Sequence, residues 1–142
     1  MINRTFGQWF GVPWVALLLL TSANANEDAF RGVFKGQGRG CWGKLLLKEK
    51  TLQWTTPYSA CKSTQYKVLE RKLTMPNRHI AFELARRSAQ CRYAVIELSF
   101  DPQTPDYWLA KGYASLDDFN QRQSASDESK LRILSCAVQK QD

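Results

Sequence analysis

One histidine, His79, serves 142 residues. That scarcity removes chemistries that need paired imidazoles. His79 and Glu83 would share one face of a strand, but four residues along a strand span about 13 Å, too far to hydrogen-bond. No G-x-S-x-G elbow and no H-E-x-x-H pair is present. The acids are scattered. The adjacent pairs Asp117-Asp118 and Asp127-Glu128 fall where a helix start and a polar loop are read, not where two carboxylates would flank a glycosidic bond. No two cysteines stand close enough for a zinc knuckle. No apolar run reaches the roughly 20 residues that cross a bilayer. These absences read as a chain that is not an enzyme and that needs neither metal nor cofactor.

The apolar run that does exist, Trp9 to Leu20, is broken by Gly11 and Pro13. It follows Arg4 and precedes Ser22-Ala23-Asn24-Ala25. A basic start, a short apolar core and an A-x-A site make a secretory signal peptide over residues 1–25, cut before Asn26. Residues 26–142 then form one domain in the periplasm or outside the cell, with no transmembrane segment after cleavage. All four cysteines, Cys41, Cys61, Cys91 and Cys136, lie in that part, and an even count in a small exported domain reads as two disulfides. Of the three possible pairings we expect Cys41–Cys61 and Cys91–Cys136. A hairpin of residues 42–48 and 50–55 would return the chain to the neighbourhood of Cys41, and a closing last strand would bring Cys136 beside an earlier one.

The stretch "GRGCWGK", Gly38 to Lys44, matches both G-x-G-x-x-G and G-x-x-x-x-G-K. A phosphate cradle needs a helix next, so that its N-terminal amides face the anion. Here Leu45-Leu46-Leu47, a charged Lys48-Glu49-Lys50 and Thr51 to Thr55 read as strand, turn, strand, and Leu45 stands where a magnesium-binding hydroxyl belongs. From Phe30 to Trp42 the pattern alternates: Phe30, Phe34, four glycines and Trp42 on one face, basic and polar residues mainly on the other. We read one sharply bent strand whose aromatic face is buried.

Further strands are expected over 65–72, 78–86, 91–100, 106–114 and 130–139, separated by Pro- and Asn-bearing turns. In the second of these Ile80, Phe82 and Leu84 point inward, and in the third Ala94, Ile96, Leu98 and Phe100 share one face. One short helix near 115–121 is signalled by Ser115 followed by an acid three residues on. The polar stretch 121–129 reads as a surface loop. The fold class is all-β: a small antiparallel meander barrel or sandwich with that one helix and two disulfides. Trp42, Trp54, Tyr66, Phe82, Phe100, Tyr107 and Trp108 would face its interior, which either packs solid or holds one small apolar ligand, as in a lipocalin-like carrier.

Without residues 1–25 the chain carries 19 basic and 13 acidic side chains. The basic residues singled out as anion-binding are Lys44, Lys48, Lys50, Arg71, Lys72, Arg78, Arg86, Arg87 and Arg92. A solvated face that aids solubility is the plainer reading. The functional one is attraction to an anionic envelope polymer or lipid. Nucleic acid is not expected, because the aromatics fall on core positions and are not interleaved with lysines.

Finally, Trp108, Lys111 and Gly112, followed by Ala114 and Leu116, resemble a stretch of the periplasmic C-type lysozyme inhibitors. That resemblance spans Trp108 to Leu116 and implies a small disulfide-bonded β-barrel acting as an enzyme-inhibitor module. The serine- and glycine-containing loop by which that family enters the lysozyme cleft has no counterpart here, and a basic chain would be repelled by basic lysozyme.

Overall fold

A computed structural model describes residues 27–124 and 126–142. The leader read over residues 1–25 lies outside the described residues. Eight strands follow in chain order: β1 Gly32–Gly36, β2 Gly43–Leu47, β3 Thr51–Thr56, β4 Ser59–Lys72, β5 Arg78–Leu84, β6 Val95–Phe100, β7 Trp108–Tyr113 and β8 Leu134–Gln141. Each pairs antiparallel with the next, and β8 pairs with β1, closing the barrel. Two five-residue helices, α1 Leu116–Asn120 and α2 Asp127–Leu131, lie between β7 and β8. Among the described residues no helix is long and apolar enough to cross a membrane.

The interior follows from period-two alternation. Phe34, Leu45, Leu47, Leu52, Trp54, Ile80, Phe82, Ile96, Leu98, Trp108 and Val138 point inward and are buried. Trp108 is ringed by Phe30, Phe34 and Phe100 at 5.0–5.4 Å, and Trp54 lies 5.4 Å from Tyr93. Of the aromatics read as a cavity lining, Trp54, Tyr66, Phe82, Phe100 and Trp108 are engaged with other rings. Each such side chain contributes roughly 1.5–3 kcal/mol of burial.

The glycine run is a turn between two strands, not one bent strand. The Cys41 and Trp42 amides both donate to the Gly38 carbonyl, and Gly38 has φ +88°. The alternation therefore breaks at the turn, and Trp42 is 70% exposed instead of buried. Tyr107 is also exposed, in the turn before β7. A strand, not a helix, follows Lys44, as the sequence indicates.

The disulfides are Cys41–Cys136 and Cys61–Cys91, not the expected pairs. In a meander the strand after next is not a neighbour: β3 separates Cys61 from β2, with Trp54 standing opposite Cys61 on one side and Leu45 on the other. Likewise β7 separates Cys136 from β6, with Ala110 between. Barrel closure sets the β1–β2 turn against β8, where the Gln37 amide donates to the Ala137 carbonyl at 3.0 Å. The β5–β6 connection runs along the first half of β4. The Ala60 amide donates to the Gln90 carbonyl, and the Ser88 hydroxyl donates to the Ala60 carbonyl. Both bridges consequently staple the same end of the barrel.

The helix expected near 115–121 is present. The Ser115 hydroxyl accepts from the Asp118 amide. A second helix, α2, begins in the stretch read as a loop and runs into the start of the expected last strand, capped in the same way by Ser126 accepting from the Ser129 amide. The last strand accordingly starts at Leu134 and not at residue 130.

Candidate functional site

Charge is distributed unevenly over the barrel. From Glu27 to Leu69, covering β1 to β3 and most of β4, there are eight basic residues and three acids, Glu27, Asp28 and Glu49, and Asp28 pairs with Arg31 at 2.8 Å. From Glu70 to Asp142 there are eleven basic residues and ten acids. The β1–β4 wall therefore carries nearly all of the excess positive charge. Lys35 on β1 stands directly opposite Lys44 on β2, and both are exposed. Like charges in direct cross-strand register cost stability, by about 0.2–1 kcal/mol. Lys62 lies in the adjoining stretch of β4. Its amide donates to the Ser88 hydroxyl, between Arg86 and Arg92 on the β5–β6 connection. The Arg86 amide donates to Thr64 Oγ1 and the Arg92 amide to Ser59 Oγ, which seats both arginines against β4. None of Lys35, Lys44, Lys62, Arg86 and Arg92 takes part in an ion pair among the described residues.

Two exposed aromatics stand at the stapled end of this wall. Trp42 is 70% exposed and Tyr58, in the β3–β4 turn, 62%. Gly40 lies against the Tyr58 ring, so the two turns are adjacent.

The nine basic residues named from the sequence do not form one group. Lys44, Arg86, Arg87 and Arg92 lie toward the stapled end. Lys48, Lys50, Arg71, Lys72 and Arg78 lie at the opposite end, around the β2–β3 and β4–β5 turns. Arg71 pairs with Glu27 at 2.9 Å, and Arg78 stacks over the Phe100 ring. Arg87 donates to the Ala114 and Arg92 carbonyls and thereby ties the β5–β6 connection to the end of β7. Lys35 escaped sequence reasoning, because its partnership with Lys44 exists only in the register of β1 on β2.

The other wall carries a different site. The outer faces of β6, β7 and β8 form a half-open trough of about 860 Å³. Small Ser99, Ser135 and Ala137 keep its floor low, and Arg122 and Ile133 from the α1–α2 segment form one side. At its edge four side chains converge. His79 Nε2 lies 3.1 Å from Glu70 Oε2, and Arg122 reaches Glu70 at 2.7 Å and Glu97 at 3.5 Å. Glu70 faces outward only because the register slips between Val68 and Glu70, so that one extra residue sits on β4. Uninterrupted alternation from inward Tyr66 and Val68 would have turned Glu70 into the lumen.

Arg122 is fixed by α1, where its guanidinium stacks 4.0 Å over the Phe119 ring. The Tyr113 hydroxyl donates to Glu97 at 3.4 Å. Burial, reinforced by the Glu97 carboxylate, pushes the Tyr113 phenol well above its ordinary value, so it remains a donor. Lys111, from the stretch that resembles the lysozyme inhibitors, lies across from Glu97 and lines the same trough.

Comparison with protein-family models, with curated proteins and with solved structures finds no match. Fold and site define the class alone: a small, doubly disulfide-bonded, eight-stranded meander barrel with one strongly basic wall.

Proposed function

We propose that this chain is an exported, non-enzymatic binding barrel that attaches to an anionic envelope component, a phosphate-bearing lipid surface, through its β1–β4 wall. The observation that carries this reading is the charge asymmetry, eight basic residues against three acids between Glu27 and Leu69, compared with eleven against ten over the rest of the barrel. Folding alone does not call for it: Lys35 opposite Lys44 costs stability, and an anion would relieve that repulsion. The two disulfides suit an oxidising compartment and hold Trp42 and Tyr58 at the rim of the wall.

Sedimentation of the disulfide-intact protein with vesicles tests the reading. Binding to vesicles rich in phosphatidylglycerol is expected at low ionic strength, fading as salt is added, with none to purely zwitterionic vesicles. Absence of salt-sensitive binding to the anionic vesicles would remove the proposal.

A further inference from the structure

Glu70, His79 and Glu97 come from three neighbouring strands, β4, β5 and β6, and their ligand atoms all lie within 4.8 Å of one another. We propose that they form a binding site for a divalent transition-metal ion of the zinc class, for which the Arg122 guanidinium is a built-in competitor. Three observations converge on it. The 3.1 Å between His79 Nε2 and Glu70 Oε2 is close to the roughly 3.3 Å edge between two ligands bound at about 2.0–2.1 Å to a tetrahedral ion. One imidazole with two carboxylates is a donor set for zinc and its neighbours, not for calcium or magnesium, which take oxygen alone.

Independently, the Glu97 side chain is only 10% exposed, yet its polar contacts are long: Tyr113 at 3.4 Å and Arg122 at 3.5 Å. A carboxylate withdrawn from water and served only at such distances is under-stabilised, and a metal ion would supply what the guanidinium does not. His79, Glu97 and Arg122 all line the trough, so an ion has a route in, and a bound ion would keep an open side toward it. Lys72 opposite His79 and Lys111 opposite Glu97 are the nearby cations that oppose binding. The site borders the basic wall through Glu70 on β4, but none of its three ligands is one of the wall's cations.

Arg122 gives the proposal a signature that a chance cluster lacks. Replacing it with an uncharged residue leaves two carboxylates and an imidazole without their cation. Cobalt(II) titration of the full chain, disulfides intact and without a polyhistidine tag, reads this through visible absorption. We expect wild-type protein to bind one ion, His79→Ala to lose at least about tenfold in affinity, and Arg122→Gln to gain about tenfold. The proposal is overturned if wild-type protein develops no cobalt band, if the band survives unchanged in His79→Ala, or if folded Arg122→Gln binds no more tightly than wild type. Should Arg122→Gln fail to fold, the wild-type and His79→Ala titrations still decide.

Discussion

At Gly43 a Cβ would sit 1.9 Å from the Thr55 carbonyl oxygen, and the backbone there has φ +145°. At Gly38 the φ is +88° but nothing lies within 4 Å of where a Cβ would go. The two glycines of one motif-like run thus do different work. Gly43→Ala is expected to cost more than about 3 kcal/mol, from strain and backbone clash together, and Gly38→Ala about 1–2 kcal/mol from strain alone. Urea midpoints of the two variants check the ranking. A second residue-scale expectation concerns alkali. The Tyr113 phenol is raised above its ordinary value near 10 by burial and then by Glu97, so the unfolded chain releases that proton first. Its contribution to stability is fully present below pH 10 and declines above it. Tyr113→Phe should flatten the loss of stability above pH 10 relative to wild type, as measured by urea unfolding across pH. A variant with the wild-type slope would show that the phenol is not held this way. Sequence alone had little to say at this scale, because a clash with Thr55 or a buried Glu97 depends on which strand lies alongside.

Single elements were legible where alternation runs unbroken. In β5 and β6, Ile80, Phe82, Ile96 and Leu98 sit inward as the pattern requires, and Ser115 caps α1. Legibility ended wherever one residue shifts the period. The turn at Gly38 exposes Trp42, and the slip after Val68 sends Glu70 outward. The cysteine pairing was hidden for a related reason. Sequence indicates that strands follow one another, but β3 and β7 come between the cysteines expected to meet.

The pairing found has an energetic consequence. Cys41–Cys136 spans 95 residues and Cys61–Cys91 spans 30. In the chain-entropy description, losing the first costs about 4.7 kcal/mol and losing the second about 3.6 kcal/mol. Double serine variants, compared by denaturant unfolding, should therefore rank in that order. The reverse ranking would mean that native contacts, not loop closure, dominate. For α1, Phe119 is buried against Tyr113 with ring centroids 5.3 Å apart. Since five residues cannot hold a helix unaided, Phe119→Ala should cost about 3–4 kcal/mol. It should also speed amide exchange in residues 115–124 well before β7. Uniform acceleration across the barrel would contradict a locally docked element.

Over the whole molecule, a closed barrel gives each wall a fixed outward face, and the order of the strands along the chain becomes an order around the circumference. A lopsided charge along the sequence is thereby converted into a lopsided surface. The excess of basic residues was visible in composition, but its confinement to β1–β4 needed the closure of β8 on β1 to become a wall. The sequence-based set of nine cations is divided between the two ends, so any attraction has to come from the wall and not from those nine acting together. Geometry and bulk charge then make separable claims.

The measurement that separates them compares two variants of equal net charge for binding to phosphatidylglycerol vesicles at one low ionic strength. One reverses Lys35 and Lys44 to Glu, on the basic wall. The other reverses Lys130 and Arg132 to Glu, beside the trough. With each cation near an anionic surface worth about 1 kcal/mol, the first pair should lose at least about thirty-fold in affinity. The second pair should stay within a few-fold of wild type. Equal losses from both would show that net charge alone governs adhesion and that the β1–β4 wall is not a site.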